Sequence, residues 1–425
     1  MMQGIVQPYR APGPLPLTSE RLVVFFAGLG HALFHIVAAL FLTLALLMAP
    51  AWRIAYSDLI GAWTLGAFLL GAGAPIAGWL SDKLGETRLM IVYFLGLGGS
   101  AMLCGLADRP QTLRWALAGI GAFGAIYHPV GTAWVVKNVQ RRGRSIAAVG
   151  IAGSIGVALA SLIAGALADH GGWRFAFMVP GAVTVACGLA LAAAYVTRRV
   201  VDRDSDLLPI AEPATRQVRR AFLPLIVSMA LTTLIYYAFS TMLPKWMERE
   251  VGLSLGDGLT GIGGLVTFIY LAGALAQFVG GHFADRGRAR EIYVISFVMK
   301  LAALLFAAFV GGWPTVLAAI VIAFVFDIAA PVENVLIARY TPARRRGLAY
   351  GVRHGIAIAA APLGVGMVAL LYEPAAGFVT LLLAMAAIVC VVLIAASLLP
   401  SERPGRSSRG EGRLSREASR GFPGE

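Results

Sequence analysis

Apolar residues run along this chain in twelve blocks, each able to cross a bilayer, which takes about 20 mostly apolar residues at roughly 1.5 Å of helical rise each. The blocks lie near 22–48, 59–80, 89–107, 113–136, 146–168 and 175–196, and then near 222–246, 258–282, 292–311, 314–338, 348–370 and 376–399. Most of the polar stretches between them leave room only for a turn. Three are longer. Residues 1–21 are proline-rich and polar, 197–221 gather Arg198, Arg199, Asp202, Arg203, Asp204 and Asp206, and 400–425 are mostly Ser, Gly, Arg and Glu. The pattern predicts an N-terminal tail over 1–21, a six-helix unit over 22–196, a linker over 197–221, a second six-helix unit over 222–399 and a disordered tail over 400–425, too polar to bury a core.

The two units repeat one another. The loop Gly78-Trp79-Leu80-Ser81-Asp82-Lys83-Leu84-Gly85-Glu86-Thr87-Arg88 follows the second block, and Gly281-His282-Phe283-Ala284-Asp285-Arg286-Gly287-Arg288 follows the eighth. Gly78 matches Gly281, Asp82 matches Asp285 and Lys83 matches Arg286 at one offset of 203. Pro129 and Pro331 align at 202, and Arg142-Gly143 and Arg346-Gly347 at 204. A duplicated chain of this kind is the common plan of secondary transporters, with the solute site where the halves meet near the bilayer midplane.

Composition removes the soluble classes. Hydrophobic residues make up 58% of the chain and charged residues 13%, well outside the range of a soluble domain. A net charge of +13 would point to nucleic acid in a soluble chain, but here the cations sit in short loops and tails, so no nucleic-acid partner is expected. Nineteen Lys and Arg lie in the loops on one side of the membrane, against Arg53, Arg109, Arg174 and Arg249 on the other. Positive loops stay in the cytoplasm, so both termini, the linker and both copies of the loop are predicted to face it. Cys104, Cys187 and Cys390 lie in apolar blocks without metal or disulfide spacing, and the first 20 residues carry no removable signal peptide. No nucleotide loop, Ser-His-Asp arrangement or zinc-hydrolase motif is present. Neither an enzyme nor a cofactor is expected, and transport would draw on a gradient.

With Gly78, Leu80, Asp82 and Gly85 in place, the loop resembles the hallmark G-x-L-(S/A)-D-x-x-G-R-(K/R) segment of the major facilitator superfamily. It departs from that pattern where Glu86 and Thr87 replace the basic pair. The resemblance spans about 22–399 and implies an all-α membrane fold of twelve transmembrane helices in two pseudo-symmetric six-helix bundles. Ile126-Tyr127-His128-Pro129, Arg142-Gly143-Arg144-Ser145 and Gly172-Trp173-Arg174 are similar to the fosmidomycin-resistance branch of drug exporters. Gly150, Gly153, Gly156 and Gly165 in the fifth span are similar to the family's antiporter motif, with Ala160-Ser161 where a Gly-Pro pair is expected.

Ionisable side chains at membrane depth are costly and mark solute or proton paths. Spans one, four, seven and ten carry His31/His35, Tyr127/His128, Tyr236/Tyr237 and Asp327/Glu333/Asn334, the leading helix of each three-helix unit. The resemblance implies that these four helices line the central cavity. His31 and His35 share a helix face at i,i+4. Their imidazoles, with His128, can carry a coupling proton, as can Asp327 or Glu333; together with Asp327 they can instead hold a transition metal, although no metal site is expected. Glu333 and Arg353 lie at similar depth and predict an internal ion pair, with Arg353 and His354 placed to hold an anionic solute. Lys300 in the ninth span predicts snorkelling or lipid contact. Gly78, Asp82, Lys83, Gly85, Arg88, Gly281, Asp285, Arg286 and Arg288 form the expected conformational latch, in which an Asp at a helix end bridges to a neighbour in one state. The expectation is a monomeric carrier of the bacterial inner membrane. It would move a small solute through the lipid bilayer by alternating access, coupled to protons and directed to efflux of a drug or metabolite. Uptake of a metabolite or metal ion, and a non-transporting sensor, remain as alternatives.

Overall fold

A computed structural model describes residues 17–139, 142–202, 216–283, 286, 288–340 and 346–399. The helices are α1 (Leu17–Trp52), α2 (Tyr56–Gly61), α3 (Trp63–Leu84), α4 (Glu86–Gly105), α5 (Pro110–Gly124), α6 (Thr132–Asn138), α7 (Arg142–Val196), α8 (Arg216–Val251), α9 (Leu259–Phe283), α10 (Ala289–Phe309), α11 (Trp313–Tyr340), α12 (Arg346–Leu371) and α13 (Val379–Ser397). Nine helical segments among the described residues are long and apolar enough to span a membrane. One of them, within α7, holds two predicted spans, because Gly172 takes φ +78, a value that L side chains avoid, and breaks the helix there. Spans four and eleven fall below the threshold. The fourth is cut into α5, a π-turn at Tyr127–Gly131 and α6, and the eleventh is α12, 26 residues long, whose first turns carry side chains outside the described residues. The arrangement is consistent with the expected twelve.

Helices run past the apolar blocks at both ends. α1 begins inside the predicted tail and α8 begins inside the predicted linker, at Arg216. Outside the apolar core the helical hydrogen-bond ladder continues as long as no residue breaks it, so hydropathy underestimates helix length.

Packing repeats between the halves. α1 lies on α7 as α8 lies on α12, and α4 lies on α7 as α10 lies on α13. α3 and α4 both pack on α5, as α9 and α10 both pack on α11. The halves meet where α7 crosses α9 and where α12 crosses α3. Large apolar side chains stand fully on the outside, among them Leu189, Leu275, Leu317, Leu370 and Ile394, and Trp79, Trp115 and Trp313 are exposed near helix ends. An outer surface of this kind suits acyl chains, with tryptophans at the interfacial level.

Candidate functional site

Pro129 lacks an N–H, and the chain accommodates it with the π-turn Tyr127–Gly131 rather than with regular α winding. The turn sets His128 beside α1. There His31, His35 and His128 bring one ring nitrogen each within 4.8 Å of one another. Nδ1 of His31 lies 2.9 Å from the carbonyl oxygen of Val149, and Nε2 of His35 lies 3.2 Å from Nε2 of His31. Tyr127 stacks on the His31 ring at a centroid distance of 4.8 Å and donates its hydroxyl to the Ala27 carbonyl. The His31 ring needs Gly153, since a Cβ there would overlap it.

A cavity of about 180 Å³ lies between the halves. The N-terminal half contributes Phe34, His35, Trp63, His128 and Ser161 to it, and the C-terminal half contributes Tyr236, Tyr237, Ser240, Thr241 and Tyr270. Imidazoles face phenols and hydroxyls across an otherwise apolar space, the lining expected of a small-solute site. Of the predicted residues, His35, His128 and Tyr236 reach this wall, while His31 and Tyr127 stand behind it.

Asp327 and Glu333 belong to a separate network inside the C-terminal half. Asp327 accepts from Gln277 Nε2 at 3.2 Å, and Glu333 accepts from the Tyr293 hydroxyl at 3.0 Å. Lys300 does not snorkel. Its side chain is fully buried, with Nζ 3.7 Å over the Phe326 ring and 4.6 Å over Phe297, and it has no hydrogen-bond partner among the described residues. The α10 helix turns this position toward α11, so the apolar neighbours are core rings and not lipid. The side chains of Asn334, Arg353 and His354 lie outside the described residues, as does the predicted Glu333–Arg353 pair.

At the loop after α3, Gly78 lies in the helix and Gly85 ends it with φ +86. Asp82 is exposed and has no ion-pair partner among the described residues. Lys83 lies over Trp79 at 4.0 Å and Arg88 over Tyr195 at 5.9 Å. The paired acid is Glu86, which meets Lys137 at 2.5 Å, so the residue that departs from the hallmark carries the charge contact here. Thr87 and Trp134 both donate to Asp202, which ties the start of the linker to this corner. In the second copy Gly281 lies near the end of α9, Asp285 lies outside the described residues, Arg286 is exposed, and Arg288 pairs with Glu291 at 2.7 Å.

The halves are tied at the end opposite these loops. Asp169 accepts from the backbone N–H groups of Leu259 and Thr260, both at 2.8 Å, and from the Thr260 hydroxyl, so that α7 caps α9. Nearer the middle, Thr267 donates to the Ala158 carbonyl at 2.6 Å.

The sequence profile of the Major Facilitator Superfamily matches residues 22–270 and 254–421. The chain belongs to that superfamily. As such it is a membrane-spanning transporter of helical fold and not an enzyme. It is 24% identical over 331 residues to the cis,cis-muconate transport protein of Acinetobacter baylyi, covering 72% of this chain and 78% of that one. It is 23% identical to the membrane sensor protein UhpC of Salmonella typhimurium, over 65% of this chain and 70% of that one. A multidrug resistance protein B homolog of Mycobacterium tuberculosis is 30% identical, over 28% of this chain and 23% of its own length. Among solved structures, a bacterial homolog of the human lysosomal transporter Spinster, in an inward-facing and unoccupied conformation, superposes with a TM-score of 0.72 at 16% identity, over 91% of this chain and 97% of that one. The occupied form of that homolog gives 0.72 at 15% identity, over the same shares.

The cavity also uses residues that the sequence did not single out. Trp63, Ser240, Thr241 and Tyr270 join its wall, and Gln277 and Tyr293 bond the two carboxyls. Their only signal was polarity inside an apolar block, which Ser, Thr and Tyr share with many residues that merely bond their own helix, as Ser240 bonds Tyr237 here.

Proposed function

We propose that this superfamily member is a proton-coupled secondary carrier that exports a small organic solute, a drug or metabolite, by alternating access. The cavity carries the reading, because its wall is drawn from both halves and a change in their relative tilt would open it to one side and then the other. With both termini and both copies of the loop in the cytoplasm, as the charge bias argues, the Asp169 contacts with Leu259 and Thr260 join the halves on the opposite side of the membrane. Asp327, held by Gln277 beside the buried Lys300, is the group assigned to proton carriage, since a carboxyl at that depth is costly to keep without a use. Imidazole and phenol N–H and O–H groups suit a solute bearing oxygen acceptors, carboxylates included.

Flux into membrane vesicles tests this. Accumulation of the solute in inside-out vesicles on imposing an inward-acid pH gradient is the expected result, and Asp327→Asn should cut it at least tenfold while leaving solute exchange without a gradient. Uptake confined to right-side-out vesicles would reverse the direction. Saturable binding with no flux in either would make the protein a sensor.

A further inference from the structure

The histidine cluster is arranged as a ligand set. A carbonyl oxygen can only accept, so the 2.9 Å contact with Val149 puts the proton of neutral His31 on Nδ1 and leaves the Nε2 lone pair aimed at His35. A backbone carbonyl on the far nitrogen is the usual support of a metal-binding imidazole, fixing its tautomer and ring orientation. The separation of 3.2 Å between the two Nε2 atoms is close to that of neighbouring ligands around a tetrahedral ion with bonds of about 2.0–2.1 Å. His128, from the π-turn, supplies the third nitrogen, and the three ligand atoms span no more than 4.8 Å. His35 and His128 face the cavity, so a fourth position opens onto it.

We infer that His31, His35 and His128 form a three-imidazole site for a divalent transition-metal ion such as Zn²⁺, Co²⁺ or Cu²⁺, with its remaining coordination position turned to the transport cavity. Three imidazoles without a carboxylate in the group favour these ions over Mg²⁺ or Ca²⁺, which take oxygen ligands. The net charge of such an ion at membrane depth calls for an anionic fourth ligand, and on the transport reading above the carried solute supplies it through a carboxylate or similar oxygen. Gly153 belongs to the same site, because its lack of a side chain admits the His31 ring.

The purified full-length chain, freed of any histidine tag, is titrated with Co²⁺ and, separately, Cu²⁺. The expected result is one Co²⁺ per chain with the visible bands of a four-coordinate nitrogen site, weakening at acid pH because the ligands must be deprotonated. Spin-echo modulation of bound Cu²⁺ should count three imidazoles. His35→Gln and His128→Gln should each weaken Co²⁺ binding at least tenfold, and Gly153→Ala should weaken it by displacing His31. The double variant His170→Ala/His282→Ala, outside the cluster, should bind as the wild type. Absence of stoichiometric binding, fewer than three imidazoles on Cu²⁺, or unchanged binding in both glutamine variants overturns the site, and the first two readouts need no variant to fold. Solute flux is measured on the same preparation. Flux without Co²⁺ binding overturns this inference alone, and Co²⁺ binding without flux overturns the transport reading alone.

Discussion

Lys300 lies where an isolated charge is least tolerable, among the rings of Phe297 and Phe326, and the groups that act on it electrostatically are Glu333 and Asp327. Removing one member of such a set leaves the others uncompensated, whereas removing opposite charges together does not. Lys300→Met should therefore destabilise the protein by about 2 kcal/mol, and adding Asp327→Asn should recover much of it, giving a coupling energy of about 1–3 kcal/mol. Thermal unfolding of the four chains in one detergent measures the cycle; strict additivity would show the charges to be independent. The sequence made Asp327 and Glu333 legible as candidates because any carboxyl in an apolar block stands out. It could not assign Lys300, since a helix apolar all round gives no stripe to say which face meets lipid and which meets protein. The i,i+4 histidines of α1 were legible as a pair for the opposite reason, that helical spacing alone puts them together, but the third came from a turn whose winding the sequence does not announce.

At the scale of elements, two carboxylates hold helix ends in place. Asp169 gives α9 an N-terminal cap from another helix, and losing such a cap costs about 1–2 kcal/mol. Because the cap joins the two halves, Asp169→Ala should also loosen that end of the seam. In a background without Cys104, Cys187 and Cys390, a cysteine at Thr260 should react faster with a charged maleimide when Asp169 is absent. Equal rates would confine the cap to local stability. Asp202 anchors the chain after α7 through Thr87 and Trp134. Burial pushes its carboxyl above the ordinary 3.8, the Thr87 hydroxyl opposes this, and Glu86 adds to it. An acid with a raised folded value binds more protons folded than unfolded, so its contribution is whole below 3.8 and is lost as pH rises through the raised value. Asp202→Asn keeps an acceptor for both donors without the titration. Its unfolding temperature should exceed that of the wild type by a margin that widens as pH rises and then levels off; a constant margin would exclude Asp202 from the pH response. Neither carboxylate was legible, since both act on partners more than 60 residues away in the chain.

For the whole molecule, the apolar blocks and the repeated loop carried most of the architecture. The duplication at one offset predicted paired helix contacts, and the packing of α1 on α7 and of α8 on α12 is one such pair. What hydropathy missed was the π-turn at Tyr127–Gly131, because a proline in an apolar block is as compatible with a continuous membrane helix as with a break, whereas the break at Gly172 falls in the predicted gap between spans five and six. The loop's hallmark residues were legible as a set, yet the charge contact fell to Glu86 and Lys137, and only coordinates could pair residues 51 positions apart.

That wide turn has an evolutionary corollary. A π-turn holds one residue more than the α winding around it, so deletion of Val130 would let the segment close up into an ordinary helix. The helix on either side of the cut would keep its facing, because the wide turn had already absorbed the extra residue. Only the residues of the turn itself, His128 among them, would be re-aimed relative to His35 and the cavity wall. Such a deletion should leave a folded, membrane-inserted chain with altered solute preference, read by flux across a solute panel. A single lost codon, with no substitution at all, would be enough to refurnish the chamber.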